Sequence, residues 1–121
     1  MLNKVMLIGR LGRDPELRFT QNGVAVTRMS IACERRWRDD QGEQHKEVEW
    51  VNVVAWQQLA EACNEYLQKG RLVYIEGRLQ TRDWEDESGV KHSQTVIVAE
   101  EVKFIDRDAK RTKAEVEEVE Q

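Results

Sequence analysis

Four tryptophans, Trp37, Trp50, Trp56 and Trp84, are the residues of this sequence best suited to act on something outside the fold. Two of them stand among charges. Trp84 lies in GRLQTRDWEDESG with Arg78 and Arg82, and Trp37 lies in ERRWRDD with Arg35, Arg36 and Arg38. A core tryptophan needs apolar neighbours on its own face, and these two lack them. An indole offers a flat π-surface and a guanidinium a fixed positive charge. Interleaved on one surface, they suit a ligand with stackable rings on an anionic backbone, which is single-stranded nucleic acid. No catalytic set competes. The chain has neither a G-x-x-x-x-G-K-[ST] loop nor a G-x-S-x-G elbow, and Glu47 and Glu49 share a strand face without an acid–base partner. Gly9-Arg10-Leu11-Gly12 matches a GxxG loop in letters only, since it ends a strand rather than joining two helices. His45, His92, Cys33 and Cys63 are scattered, so no metal and no cofactor is expected, and the chain does not read as an enzyme.

The elements that must position these rings are mostly strands. Val5–Leu11 reads as the first and leads into a turn at Arg13-Asp14-Pro15. Asn22-Gly23 is a turn before a second strand, Val24 to about Trp37. EVEWVNVVAW, residues 47–56, is the third. Residues 57–69 switch to helical spacing with Leu59, Cys63, Tyr66 and Leu67 on one stripe, and Lys69-Gly70 is a helix stop. Residues 71–81 and 94–104 are the fourth and fifth strands, joined by a long hairpin around Glu85–Gly89. The fold class is therefore all-β: five strands with one helix between the third and fourth, the layout of an OB-fold Greek-key barrel. Another small β-barrel is the alternative.

Side-chain alternation sharpens the picture. On the third strand Val51, Val53 and Ala55 share one face and suit a barrel interior, while Trp50, Asn52, Val54 and Trp56 share the other. On the fourth, Val73, Ile75 and Leu79 form the inner set, and Tyr74, Arg78, Arg82 and Trp84 fall outside in the absence of a bulge. All four tryptophans are thus expected on or beside one surface. For Trp50 and Trp56, packing against another sheet or subunit stands level with ligand stacking, and Tyr74 suits packing or an interface.

With 121 residues, 40% apolar and 35% charged, the chain is one domain's worth of well-hydrated globular protein. The net charge of −4 excludes a binder held by bulk attraction alone. The domain is expected to span residues 1–105. Residues 106–121 hold six acids and four bases without a core-facing stripe and read as a charged, flexible tail. No internal repeat stands out. The N-terminus is not a signal peptide, no apolar run reaches membrane-span length, and two isolated cysteines suit a reducing cytoplasm.

NKVMLIGRLGRDPELRF, WRDD, EVEWVNVVAWQQLAE and EYLQKGRLVYIEGRLQTRDW, in this order across residues 1–105, resemble the bacterial single-stranded-DNA-binding protein family. The resemblance implies an OB-fold, a homotetramer with single-stranded DNA wrapped around it, base stacking at Trp37, Trp50, Trp56 and Trp84, and basic contacts at Arg38, Lys69 and Arg82. Arg78 joins that set by its strand parity. A cytoplasmic, nucleoid-associated location in a bacterium follows, with replication, repair and recombination proteins as partners. Asp83, Asp40 and Gln58 stand where the family is commonly basic, and EVEEVEQ replaces its acidic Pro-Phe tip. Two rival readings are a protein-bridging primosome subunit and an accessory OB domain of an enzyme such as a synthetase. The four-tryptophan surface argues against the first, and the lack of a second domain against the other.

Overall fold

The computed structural model describes residues 1–105; the segment read as a tail lies outside them. The described elements are β1 (Val5–Leu11), β2 (Glu16–Phe19), β3 (Ala25–Arg38), β4 (Gln44–Trp56), α1 (Gln57–Tyr66), β5 (Leu72–Glu85) and β6 (Lys91–Phe104). The strand order is β1-β5-β6-β4-β3-β2, and β1 also pairs with β3. That extra pairing, through Arg10↔Ala32 and Leu11↔Ile31, closes five strands into the expected OB barrel. β6 meets β4 in parallel at Val53↔Ile97 and Val54↔Val98; the other pairings are antiparallel.

The barrel forms because one parity of each strand is apolar. Leu11, Met29, Ile31, Val53, Ala55, Val73, Ile75 and Ile97 fill its interior. Helix α1 plugs one end with Ala60 and Cys63, and Thr27 Oγ1 donates a buried hydrogen bond of 2.7 Å to the Ala60 carbonyl. Burial pushes the Cys63 thiol pKa up to about 12, so Cys63 behaves as a small hydrophobe. Cys33 is only half-buried, and desolvation, followed by the Glu49 charge, raises its pKa.

Closing so small a barrel requires two tight backbone approaches. A Cβ on Gly9 would lie 2.5 Å from the Ala32 carbonyl oxygen, and one on Gly77 would lie 2.1 Å from that of Val98. At Gly77 the β5–β6 register steps from Glu76↔Glu101 to Gly77↔Ala99, which leaves Glu100 as an extra residue. This bulge sits in β6, so the alternation of β5 continues unbroken and keeps Arg78, Arg82 and Trp84 on one parity.

Several expectations change. There are six strands, because Glu16–Phe19 folds back on β3 through the turn in which Gly23 takes φ +81°. The helix ends at Tyr66 rather than Lys69: Leu67 turns extended, its side chain buries in the core, and Tyr66 stays exposed. The hairpin strands run further than their apolar patterns, from Gln44 and Lys91 and out to Glu85. Leu79 has inner parity but is 48% exposed, because β5 has passed the barrel rim there and pairs only with β6. No helix among the described residues is long and apolar enough to cross a membrane.

Candidate nucleic-acid interface

The outward face of the β5-β6-β4-β3 sheet has an apolar floor. Val54, Val96 and Val98 bury against one another there with Val26 packed alongside, so Val54, expected to point outward, is outward but covered. Arg78 pairs with Val98, Val98 with Val54, and Val54 with Arg28, so one row across four strands runs arginine, valine, valine, arginine. A groove beside this row is lined by Arg13, Arg28, Asn52, Val54, Arg82, Gln94 and Val96. Asn52 shares the outward parity of Trp50 and Trp56 as expected, while Arg13, Arg28 and Gln94 are not among the residues expected to bind. For Arg28, Asn52 and Gln94 the signal is parity shared with Trp50 or Arg82 on strands that only the fold brings together, whereas Arg13 lies in the turn after β1 and has no strand parity.

Trp50, Trp56, Trp84 and Trp37 are 59%, 41%, 48% and 37% exposed. Trp50 lies against Gly12: a Cβ there would fall 2.3 Å from Trp50 Cζ3. One part of the indole therefore rests on the β1 end and the rest faces solvent. Trp56 pairs with Val26 at the edge of the valine floor and caps α1 from its extended conformation. Both tryptophans, left open between packing and ligand, are exposed in the single chain. Trp84 follows Arg78 and Arg82 on the outward parity of β5. Trp37 departs from the expectation of one shared surface. It pairs with His45 on the parity of Met29 and Ile31, whereas Trp50 pairs with Ala32 on the opposite parity, so the pleat turns Trp37 to the other face of the β3–β4 ribbon.

The basic residues divide similarly. Arg82 lines the groove, and Arg78 is exposed beside the floor. Arg38 lies near the β3–β4 tip with Arg36 and Lys46, around a cleft that includes Trp37 and His45. Lys69 sits on the loop after α1, where its amide donates to Asp14 Oδ1 at 2.8 Å, and it is not among the groove-lining residues.

The two projecting hairpins end in the same construction, contrary to the expectation of no repeat. R-x-W-x-D-x-x-G-x-x-H occurs at Arg35–His45 and again at Arg82–His92. Asp39 Oδ1 accepts from the Gln41 and Glu43 amides, and Asp86 Oδ1 from those of Ser88 and Val90. Gly42 and Gly89 both take φ +79°. His45 Nε2 meets Asp39 Oδ2 at 2.8 Å, and His92 Nε2 meets Asp86 Oδ2 at 2.8 Å. The histidine contact first, then the turn amides, hold both carboxyls below the usual aspartate range. Asp39, Glu43 and His45 bring two carboxylates and an imidazole within 4.8 Å of one another, but the turn and His45 already engage both Asp39 oxygens.

A closed OB barrel whose open sheet face carries exposed indoles and arginines around an apolar floor is a barrel of the oligonucleotide-binding kind. Residues 2–105 match the model of the single-strand binding protein family. The chain belongs to that family, which is one of binding proteins rather than enzymes. It is 46% identical over 104 residues to the single-stranded DNA-binding protein of Neisseria meningitidis serogroup B, covering 86% of this chain and 60% of the relative. It is 48% identical over 105 residues to single-stranded DNA-binding protein 1 of Chlorobaculum tepidum, covering 86% and 65%. The Plasmodium falciparum SSB, solved in complex with ssDNA, matches with a TM-score of 0.79 and 33% identity, over 88% of this chain and 97% of that one. The chain spans less than two thirds of the length of these two bacterial relatives.

Proposed function

We propose that the protein binds single-stranded DNA without sequence preference and protects it during replication, repair and recombination. The observation that carries this reading is the outward sheet face, with Trp50 and Trp56 beside a valine floor and Arg28, Arg78 and Arg82 around it. Bases have π-faces whatever their identity, so stacking there reads no sequence. Trp84 and Trp37 extend the path along the two hairpins, and Arg38 and Lys69 add phosphate contacts outside the groove. The paired bases of a duplex hide their faces, so the test is tryptophan emission titrated with oligo(dT) and with duplex of equal length. Quenching by the single strand alone is expected; equal quenching by duplex would contradict the stacking model.

The two kinds of contact separate by salt. Arg82→Ala is expected to make the slope of log K against log salt shallower by about 0.7, the contribution of one single-strand phosphate. Trp84→Ala should lower affinity while leaving that slope nearly unchanged. A slope change in the tryptophan variant as large as in the arginine variant would show that the roles are not divided this way.

Trp50 offers a test that leaves the ring in place. Gly12→Ala sets a methyl group against the far end of the indole, which can rotate away while the barrel stays closed. Binding is expected to weaken by up to about 2 kcal/mol, within the value of one base stack. The melting temperature should hold. An unchanged affinity would remove Trp50 from the interface.

The reading includes a homotetramer in a bacterial cytoplasm, associated with the nucleoid. Met6 and Ile8 are exposed on β1 and Ile8 pairs with half-buried Tyr74, an apolar surface bordered by the Lys4–Glu76 ion pair at 3.1 Å. A surface of this kind suits burial against a second subunit. Static light scattering at micromolar concentration checks it, and a monomer mass would count against it.

A further inference from the structure

We propose that His45 and His92 are positioning residues for nucleic-acid binding: each backs the tryptophan of its hairpin tip and, when protonated, adds a positive charge beside the stacked base. The inference rests on the single-strand reading above and adds residues and a pH response to it.

The geometry is the same at both tips. The Trp37 and His45 rings stack with centroids 5.4 Å apart at 21°, and the Trp84 and His92 rings with centroids 5.3 Å apart at 21°. These are the only two histidines of the chain, each directly across the ladder from a tryptophan. Each imidazole is fixed from behind by an aspartate that is itself locked into a turn by two amides. A ring held on one side is pre-ordered, so less rotamer freedom is lost when a base settles on the other. Because His92 takes one face, Trp84 offers its indole to a base from one side; Trp37 has the Arg35 guanidinium over its ring as well as His45, so a base settling there must displace or stack beside that cation.

The arms differ in charge, and this decides where protonation counts most. Between residues 35 and 46, Arg35, Arg36, Arg38 and Lys46 outweigh Asp39, Asp40 and Glu43 by one charge. Between residues 82 and 93, Asp83, Glu85, Asp86 and Glu87 outweigh Arg82 and Lys91 by two. The Arg35 guanidinium also lies over Trp37, 4.7 Å from the ring centroid, whereas Arg82 at the equivalent place lines the groove. The β3–β4 tip therefore has cations in reserve. At the β5–β6 tip His92 is the group that can reduce an acidic excess facing phosphate. Histidine is the side chain suited to act as a proton switch, and its protonated form carries one more positive charge than the neutral form. The protonated form binds the polyanion more tightly, so affinity rises as the imidazoles gain protons and the gain is lost as they give them up.

The test uses the full chain with His45→Phe, His92→Phe, the double Phe variant and the matching alanine variants. Oligo(dT) binding is measured at low salt at pH 8.0 and pH 5.5. Wild type is expected to bind more tightly at pH 5.5, by roughly fivefold through His92, the scale of one contact between unit charges in water, and by less through His45. The Phe variants keep a backing ring but lose the aspartate contact, so they should bind more tightly than the matching Ala variants at pH 8.0 and lose the gain at pH 5.5. The Ala variants lose the ring and should bind roughly three- to tenfold more weakly at pH 8.0. A second readout needs no DNA: protonated imidazole quenches a stacked indole, so emission of the free protein should fall with pH in wild type and stay level in the double Phe variant. A pH gain that survives in the double Phe variant, or Ala variants equal to wild type, overturns the proposal while single-strand binding stands. Failure of wild type to bind oligo(dT) at either pH overturns the binding reading and this one together.

Discussion

A Gly77→Val chain is expected to lose roughly 3 kcal/mol or more of folding stability, the upper range for a single overpacking substitution. The added Cβ would stand 2.1 Å from the Val98 carbonyl oxygen and 2.9 Å from its carbonyl carbon. Both are backbone atoms of the neighbouring strand, so no side chain can swing aside. Relief requires β5 and β6 to separate at the point where the register already steps around Glu100. The same ladder carries Arg78, Arg82 and Trp84 onto the outward face, so stability and binding should fall together. Urea unfolding with far-UV circular dichroism measures the first. A midpoint within error of wild type would mean that the strands at Gly77 have slack.

The larger effect on binding belongs to the double substitution Trp50→Ala with Trp84→Ala. Each base stack is worth about 1–3 kcal/mol by alanine substitution, so the pair should cost about 2–6 kcal/mol. That corresponds to a loss of roughly 30-fold to more than 10⁴-fold in affinity. The rings stand on different strands against different neighbours, Gly12 and His92, so the two losses should add. Both rings are about half exposed, so the barrel interior stays filled and the thermal midpoint should hardly move. Equilibrium titration of the double variant with oligo(dT), followed by the remaining indoles or by a labelled strand, decides the matter. A loss under threefold with the fold intact would assign both rings to something other than stacking.

Parity carried much of this in advance. Trp50 and Trp56 oppose Val53 and Ala55 with no bulge between them, so strict alternation gave both the core face and the exposed face of β4. The helix was legible from Leu59 and Cys63, but its end was not. Lys69-Gly70 looks like a stop, yet Leu67 reaches the core only from an extended backbone. Leu79 shows the limit of alternation: parity names a face, but only the barrel's height says whether that face is still covered. Trp37 failed for a related reason. Its charged neighbours announced exposure correctly, but the choice of face depended on counting back to Ile31 through residues with no apolar pattern. Arg28 and Gln94 lie far apart in sequence and meet across one groove only once β3, β4 and β6 are side by side. The repeated hairpin tip was readable by eye, but its meaning came from the identical Asp–His and Trp–His contacts.

The long arms have a consequence for how the chain behaves in crowded solution. Closure hides the strand edges of the barrel, but past its rim β3 pairs only with β4 and β5 only with β6. Each ribbon therefore exposes two rows of amides and carbonyls that another extended chain could zip onto, the usual start of edge-to-edge aggregation. The residues along these rows are largely charged: Arg35, Arg36, Arg38, Lys46 and Glu47 on one arm, Arg82, Asp83, Glu85 and Lys91 on the other. Docking a further strand would bring such charges together and strip their water, so they act as gatekeepers. The acidic bias of the β5–β6 arm, unhelpful toward phosphate, contributes here by repelling its own copies. Exchanging these residues for apolar ones to tighten a grip on bases would leave a bare, adhesive ribbon in place of a soluble one.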